Sequence, residues 1–219
     1  MSNRDYIFWG ASGHAKVLAD LIKMQGCRLT ALFDNNPDCK SPWPNIPLYY
    51  GSTGFSAWLE EIKGVELPMA AVAIGGDRGQ DRCQIFEKLV SAGLVLPALI
   101  HPKAIVSSSA SIDKGCQILA GSVIGSDVNL NRCVIVNTSA SVDHECCLHE
   151  GVHIAPGATL CGCVDVGSYS LIGPGTVIIP HIKIGFDTII GAGSVVTRDI
   201  PDNVVAWGTP ARIIKGNYK

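Results

Sequence analysis

The chain has 219 residues, of which 47% are hydrophobic and 16% are charged, and its formal net charge at pH 7 is −2. This composition is typical of a well-buried globular protein and excludes an intrinsically disordered chain. The near-neutral charge gives no electrostatic reason to expect nucleic acid or an anionic membrane as a partner.

The nine cysteines are scattered, and they form neither the CxxC pairs of a zinc knuckle nor the paired framework of a secreted domain. We therefore predict that most of them are small buried apolar residues. The apolar runs are too short to cross a bilayer, and the first residues lack the layout of a signal peptide. We expect a cytoplasmic protein that binds neither nucleic acid nor membranes.

The first 98 residues follow the pattern of a small α/β unit. The predicted elements are strands at 6–9, 29–33 and 69–74 and helices at 15–25 and 80–92. Strand, glycine turn, helix and strand in this order indicate a Rossmann-like domain over residues 1–98.

The turn after the first predicted strand is a candidate phosphate site. Gly10 and Gly13 let backbone N–H groups at a helix start approach a phosphate, and His14 and Lys16 could add positive charge. Asp34 ends the second strand and could accept hydrogen bonds from a ribose or a base. Because the full G-x-G-x-x-G pattern is absent, the residues leave open both a nucleotide site and a packing turn. Because fewer than 100 residues leave room for only half of a Rossmann fold, dinucleotide redox chemistry is the less favoured function.

A six-residue period of aliphatic side chains dominates the second half of the chain. From Val106 to Val196, every sixth residue is Ile, Leu or Val, which gives sixteen consecutive matches without an insertion. A helix would space apolar residues by three and four, and a strand would space them by two. Three hexapeptides form one coil of a hexapeptide β-helix. Residues 99–219 are therefore predicted to form a left-handed parallel β-helix of roughly five coils with a C-terminal tail.

The chemistry is expected on the outside of this β-helix, because its interior is apolar. His144 and Glu145 follow Val142 at a predicted corner, where a carboxylate next to an imidazole suits a general base. One coil of eighteen residues further on lies Gly162, whose unobstructed N–H suits a developing thioester oxyanion. This pair on one edge suits acyl transfer to an amine or a hydroxyl. His153 lies half a coil away, and it either lines the cleft of a neighbouring subunit or has a structural role.

A zinc site is the alternative use of these histidines. His144 and His149 have the spacing H-x4-H, and a β-helical carbonic anhydrase binds metal through three histidines at a subunit interface. The position of the third histidine of that family carries Ser108 here. We therefore predict no metal, and His101 and His181 are interpreted as loop or surface residues.

Six segments together resemble the bacterial sialic acid O-acetyltransferase and nucleotide-aminosugar N-acetyltransferase family. They are residues 10–16, 33–36, 100–104, 137–145, 153–158 and 207–212. Members of this family include the acetyltransferases that make diacetylbacillosamine and N-acetylated perosamine or viosamine. The resemblance covers essentially the whole chain, and it implies acetyl-CoA as co-substrate, a sugar acceptor and a homotrimer.

The resemblance also implies roles for individual residues. His144 would take a proton from the sugar amine, Glu145 would orient or polarise His144, and the Gly162 N–H would bind the thioester oxygen. The residues implied in binding the nucleotide sugar are Gly10, Ser12, Gly13, His14, Lys16, Asp34 and Asn35, with Asn137 positioning the sugar. The residues implied near coenzyme A, between adjacent subunits, are His153, Gly162, Gly173, Gly191, Ala192, Pro210 and Arg212. Family members often carry two acids after the second strand, whereas this chain has Asp34 and Asn35, which leaves UDP, GDP and dTDP open.

Three functions follow from these patterns. N-acetylation of a nucleotide-linked 4-amino-4,6-dideoxy sugar is preferred, because a nucleotide-binding domain is explained only by a nucleotide-linked acceptor. O-acetylation of a sialic acid or another sugar hydroxyl is the alternative enzyme. A β-helix scaffold or nucleotide sensor without catalysis is the alternative of a different class, and it would have no use for a stacked His144 and Gly162.

Overall fold

A four-stranded parallel sheet, sheet A, organises the first part of the computed structural model, which describes residues 5–217. Its strands are β1 (Asp5–Trp9), β2 (Arg28–Asp34), β3 (Leu48–Tyr50) and β4 (Met69–Val72), in the order β3-β2-β1-β4. The helices of the same region are α1 (Gly13–Met24), α2 (Gly51–Glu61) and α3 (Gly79–Ser91). All three predicted strands and both predicted helices are present, and the Rossmann-like pattern is confirmed.

The element pair β3 and α2 was not predicted from the sequence. In α2 only Phe55 and Trp58 are buried, so the helix offers too few apolar residues to show a helical period. Both rings join an aromatic core in which Phe33 packs edge-on against Phe55 at 5.3 Å and against Trp58 at 5.2 Å between ring centroids. Tertiary packing on sheet A therefore defines this helix.

Three sheets form the β-helix, and their strands are very short and parallel except for the last two of the chain, which are longer and pair antiparallel. Sheet B contains β5 (Leu99–Ile100), β8 (Gln117–Ile118), β11 (Ile135–Val136), β14 (His153–Ile154), β17 (Leu171–Ile172), β20 (Ile189–Ile190), β22 (Val204–Gly208) and β23 (Ala211–Gly216). Sheet C contains β6 (Ile105–Val106), β9 (Val123–Ile124), β12 (Ser141–Val142), β15 (Thr159–Leu160), β18 (Val177–Ile178) and β21 (Val195–Val196). Sheet D contains β7 (Ser111–Ile112), β10 (Asn129–Leu130), β13 (Cys147–Leu148), β16 (Asp165–Val166) and β19 (Lys183–Ile184). Strands three apart in the chain pair in parallel, as Cys147 with Asp165, which confirms a coil of eighteen residues.

The hexad aliphatic residues form the core of the β-helix. From Ile118 to Val196, each of these residues is at most 3% exposed. Each such burial contributes roughly 1.5–3 kcal/mol relative to an exposed side chain. The column of aliphatic side chains is therefore what holds successive coils in register.

The corners between strands repeat with the same period. Every sixth residue from Gly115 to Gly193 has a positive φ, and eight of these corner residues are not glycine. Non-glycine residues rarely adopt this conformation by local preference, so the fold imposes it. Glu145 and Cys163, both with φ of 59°, are corner residues of successive coils.

The chain forms two compact units. One contains the residues through Ile74 together with Gln84–Pro97, and the other contains Gly75–Cys83 and the residues from Ala98 onward. Residues 75–83 thus lie with the β-helix, although the sequence assigned them to the N-terminal domain. Among the described helices, none combines the length and the apolar character needed to span a membrane.

Candidate active site and nucleotide-binding edge

His144 and Gly162 are in contact on one edge of the β-helix. Both lie at the corner between sheets C and D, one coil apart, and the N–H of Cys163 donates to the His144 carbonyl at 2.9 Å. A Cβ placed on Gly162 would overlap the imidazole of His144. The structure therefore brings together the two residues that the coil arithmetic paired.

Glu145 orients the imidazole. Its Oε2 lies 3.0 Å from His144 Nδ1, and both side chains are more than half exposed. With Nδ1–H donating to this carboxylate, the lone pair of Nε2 is available as a base. The Nε2 and Cε1 atoms are the part of the ring that faces Gly162. The His144 edge thus combines a proton acceptor with a backbone amide.

The amide of Gly162 is suited to bind an oxyanion. Within residues 5–217, the Gly162 N–H has no hydrogen-bond partner, whereas the neighbouring N–H groups of Cys161 and Cys163 donate to carbonyls of adjacent coils. An unpaired N–H next to a base is a donor that a developing negative charge can use.

His153 and Asn137 are paired with each other on sheet B. The Asn137 Nδ2 lies 3.1 Å from His153 Nε2, and His153 Nδ1 lies 3.2 Å from the Gly76 carbonyl. Because that carbonyl can only accept, Nδ1 carries the proton and Nε2 accepts from the Asn137 amide. His153 is 6% exposed, and its assignment to coenzyme A and that of Asn137 to the sugar remain predictions.

Arg82 anchors the segment that carries Gly76, and sequence reasoning missed it. This fully buried arginine donates through Nε to the Cys133 carbonyl at 2.9 Å and through Nη2 to the Gly151 carbonyl at 2.6 Å. Burial lowers the pKa of its guanidinium. A single Arg in the first turn of α3 carries no periodic signal, so only the fold reveals this anchor.

In the N-terminal unit, the glycine turn after β1 has two distinct parts. Gly10 has φ of 111°, and a Cβ there would overlap the Ala73 carbonyl, so Gly10 is a packing glycine. Gly13 is the first residue of α1, and the space around it is open. Ser12 and Lys16 are exposed at the same helix start, and His14 is half-buried. The space beside Gly13 is therefore open to a phosphate, whereas the N–H of Gly10 already donates to the Phe33 carbonyl at 2.7 Å.

Asp34 shapes this turn from the end of β2. Its Oδ2 accepts the Ala11 N–H and its Oδ1 accepts the Asn36 N–H, both at 2.9 Å. Each carboxylate oxygen can accept a second hydrogen bond, so a ribose or base contact is still available. Asn35 is exposed beside it.

Residues at the start of α2 lie near the turn after β1, and the sequence did not indicate them. Because β1, β2 and β3 are parallel, Ser52 lies at the same edge of sheet A as the turn after β1. Lys88 donates to the Ser52 hydroxyl at 2.5 Å and lies 4.6 Å from the centre of the Trp9 ring. Burial lowers the pKa of Lys88. The edge therefore contains a second lysine besides Lys16.

Three of the residues assigned to coenzyme A, Gly173, Gly191 and Ala192, lie at the corner that follows the strands of sheet B. Gly173 and Gly191 lie one coil apart after β17 and β20, and Ala192 follows Gly191. A Cβ on Gly191 would overlap the side chain of Trp207, which is 47% exposed. Pro210 lies in the turn between β22 and β23, and Arg212 is exposed on β23. Their contact with coenzyme A remains a prediction.

The two histidines of the H-x4-H pattern belong to separate clusters. His144 lies with Glu145 and Cys163, whereas His149 lies with Cys147 and Asp165. Among the described residues of a single chain, His144 and His149 thus lie in different potential ligand sets.

Two family models match the chain. The PglD N-terminal domain matches residues 6–89, and the bacterial transferase hexapeptide with six repeats matches residues 163–198. No match is found among curated proteins.

Solved structures match the chain over nearly its full length. PerB from Caulobacter crescentus, in complex with CoA and GDP-perosamine, is 35% identical with a TM-score of 0.86, covering 96% of this chain and 97% of that one. The acetyltransferase domain of PglB from Neisseria gonorrhoeae FA1090, in complex with acetyl coenzyme A, is 34% identical with a TM-score of 0.85, covering 97% of this chain and 100% of that one. WeeI from Acinetobacter baumannii AYE, at 23% identity and a TM-score of 0.83, shares the fold.

These matches confirm the predicted fold class, a Rossmann-like domain followed by a left-handed β-helix, and the family to which the sequence was compared. The chain therefore belongs to the family of hexapeptide-repeat nucleotide-aminosugar N-acetyltransferases, enzymes that use acetyl-CoA as co-substrate.

Proposed function

We propose that this protein transfers the acetyl group of acetyl-CoA to the 4-amino group of a nucleotide-linked 4-amino-4,6-dideoxy sugar, with His144 as the general base. The observation that carries the proposal is the contact between His144 and Gly162 in a chain of this family. This contact supports the proposal, because a base at Nε2 and an oxyanion donor at the Gly162 N–H would both be within reach of one reacting carbonyl.

In the first step, the sugar amine attacks the thioester carbonyl carbon while His144 Nε2 accepts a proton from the nitrogen. Glu145 stabilises the imidazolium that forms, because its Oε2 accepts the Nδ1–H at 3.0 Å. General-base assistance of this kind contributes roughly 10²–10⁴-fold in rate.

The tetrahedral intermediate carries its negative charge on the former carbonyl oxygen. The unpaired N–H of Gly162 stabilises this oxyanion. When the intermediate collapses, the carbon–sulfur bond breaks, and the proton on His144 passes to the departing CoA thiolate. The products are the N-acetylated nucleotide sugar and free CoA.

The N-terminal unit binds the nucleotide diphosphate in this proposal. The match to the PglD N-terminal domain and the open approach to Gly13 support it. Ser12, Gly13, His14 and Lys16 would bind phosphate, and Asp34 and Asn35 would bind the nucleoside, with Gly10 supporting the turn through packing.

We propose that the working enzyme is a homotrimer that binds CoA between its subunits. Sheet C presents aliphatic side chains to solvent, since Ile105 is 67% exposed and Val123 and Val177 are each 38% exposed. Aliphatic residues on the outward face of a sheet indicate a surface that another chain covers. His153, Gly173, Gly191, Ala192, Pro210 and Arg212 would contact CoA in this assembly.

The cytoplasm is the proposed compartment. All nine cysteines are free thiols, and five of them are half-exposed, so the prediction that most are buried was wrong. Thiols of this kind persist in the reducing cytoplasm.

A thiol-release assay tests the proposal. Acetyl-CoA is the donor, and the acceptors are a panel of UDP-, dTDP- and GDP-linked 4-amino sugars together with free sialic acid, which offers a hydroxyl. We expect release of CoA with at least one amino sugar and none with sialic acid. Activity on sialic acid alone would support O-acetylation, and no activity at all would favour a non-catalytic scaffold.

The His144→Ala variant tests the base. We expect kcat to fall on the order of 10²–10⁴-fold without a change in oligomeric state. His101→Ala is the matched control, because His101 Nδ1 only accepts a turn N–H from Lys103 at 3.0 Å. Near-normal turnover of His144→Ala would refute the assignment.

A further inference from the structure

Three potential metal ligands converge on sheet D. Cys147 and Asp165 are direct register partners on β13 and β16, and His149 follows β13 by one residue. One ligand atom from each residue lies within 4.8 Å of the others. Thiolate, imidazole and carboxylate are the ligand types that Zn²⁺ prefers.

The arrangement of these three side chains fits a metal site and does not fit a catalytic triad. Cys147 Sγ lies 3.9 Å from His149 Nε2, and Asp165 Oδ1 lies 3.0 Å from the same nitrogen. In a nucleophilic triad, the nucleophile and the carboxylate face different ring nitrogens. Here the Cys147 sulfur and the Asp165 oxygen both face Nε2 of His149, so the three potential ligand atoms lie around a common position that an ion could occupy.

The ligand set is accessible from solvent. The side chains of His149 and Asp165 are 41% and 47% exposed, and both residues line a groove of about 630 Å³. The groove continues past Gly167 and Gly185 to Asp202. Three protein ligands beside an open groove leave a fourth position for water or another small ligand.

We propose that Cys147, His149 and Asp165 form a binding site for a divalent transition cation of the Zn²⁺ class. The site uses neither His144 nor Gly162, and it is independent of the proposed acetyl transfer. It departs from the sequence-based prediction of no metal, which weighed a three-histidine set. An ion bound there joins two successive coils of sheet D, so it stabilises the β-helix as well as binding an exogenous ligand.

Co²⁺ titration of the full-length, reduced protein tests the site directly, because a cobalt–thiolate bond gives a charge-transfer absorption band. We expect one Co²⁺ per chain with this band, displacement of the cobalt by Zn²⁺, and a rise in the unfolding midpoint on addition of Zn²⁺. Absence of a thiolate band in the native protein would overturn the proposal.

The variants Cys147→Ser and Cys163→Ser form a matched pair, because each removes the cysteine of one His-containing cluster. We expect Cys147→Ser to lose the band and to weaken binding by about 100-fold or more, since loss of an outer-sphere partner already costs roughly 10–100-fold. Cys163→Ser should bind as the native protein does. The reverse result would place the ion beside His144 and refute the site.

Asp165→Asn provides a second variant in case Cys147→Ser is poorly folded. It retains the thiol and removes the carboxylate charge, so the band should persist at saturation while affinity falls. Unchanged affinity in a folded Asp165→Asn protein would remove Asp165 from the site and refute the three-ligand proposal.

Discussion

The imidazole of His144 occupies the space beside Gly162 into which a side chain at that position would project. Gly162 is therefore required by the close approach of the ring and not by its own backbone conformation. The contact couples the position of the base to the absence of a side chain one coil away.

Replacing Gly162 with alanine should displace His144 while retaining the backbone amide. A displacement of about 1 Å at a reacting group costs on the order of 100-fold in rate, and we expect kcat to fall by about that factor. Steady-state kinetics together with a thermal unfolding curve would show loss of turnover in a folded protein. In the His144→Ala background, Gly162→Ala should add little, because the displaced group is already absent. Additive losses would show that Gly162 acts independently of His144.

Asp34 supports the proposed nucleotide-binding turn through two backbone amides, those of Ala11 and Asn36. We expect Asp34→Ala to raise KM for the nucleotide sugar by about tenfold, since loss of these bonds loosens the turn by about 1.4 kcal/mol. KM for acetyl-CoA should stay within about twofold, because the proposed CoA site uses only residues of the β-helix. Asp34→Asn retains one acceptor oxygen and should give a smaller increase. Equal changes for both substrates would contradict a separate nucleotide site.

Arg82 connects residues 75–83 to the β-helix through buried carbonyls. Arg82→Met keeps much of the volume but leaves the Cys133 and Gly151 carbonyls without these donors. We expect the free energy of unfolding to fall by about 3 kcal/mol, measured by urea denaturation. Arg82→Lys retains the charge and should recover part of the loss. An unchanged midpoint for Arg82→Met would show that these bonds add no net stability.

The surroundings of Glu150 predict that the stability of the fold depends on pH. Hydrogen bonds from Tyr169 and from Arg132 hold the pKa of its carboxyl below the ordinary value, and the Arg132 bond measures 2.6 Å. A depressed pKa stabilises the fold above the unfolded pKa of about 4.3, and this contribution disappears as the pH falls through the folded value.

We therefore expect Glu150→Gln to lower the free energy of unfolding by about 1 kcal/mol at pH 7. The difference from the native protein should shrink as the pH falls below about 4. Glu60→Gln is the control, because the Glu60–Lys63 pair is exposed and such pairs contribute little. If the difference in unfolding free energy between Glu150→Gln and the native protein stayed unchanged at low pH, the carboxylate charge would not be the source of that difference.

The hexad register was sufficient to predict the β-helix, because only a coil of constant length keeps an aliphatic residue inward at every sixth position. The same arithmetic predicted that His144 and Gly162 would be neighbours, since the pairing of coils is set by the period alone. Strands β1, β2 and β4 and helices α1 and α3 were predictable because their apolar runs are long enough to show a pattern, whereas β3 and α2 were not.

Only the tertiary structure decided where isolated polar residues lie. Arg82, the pairing of His153 with Asn137, and Lys88 beside Ser52 depend on contacts between residues far apart in the chain, which no local spacing encodes. In the cluster of Cys147, His149 and Asp165, the period already places Cys147 beside Asp165, whereas the approach of the His149 ring to both is seen only in the structure. The period determined the fold, and packing across coils and strands determined which side chains could meet.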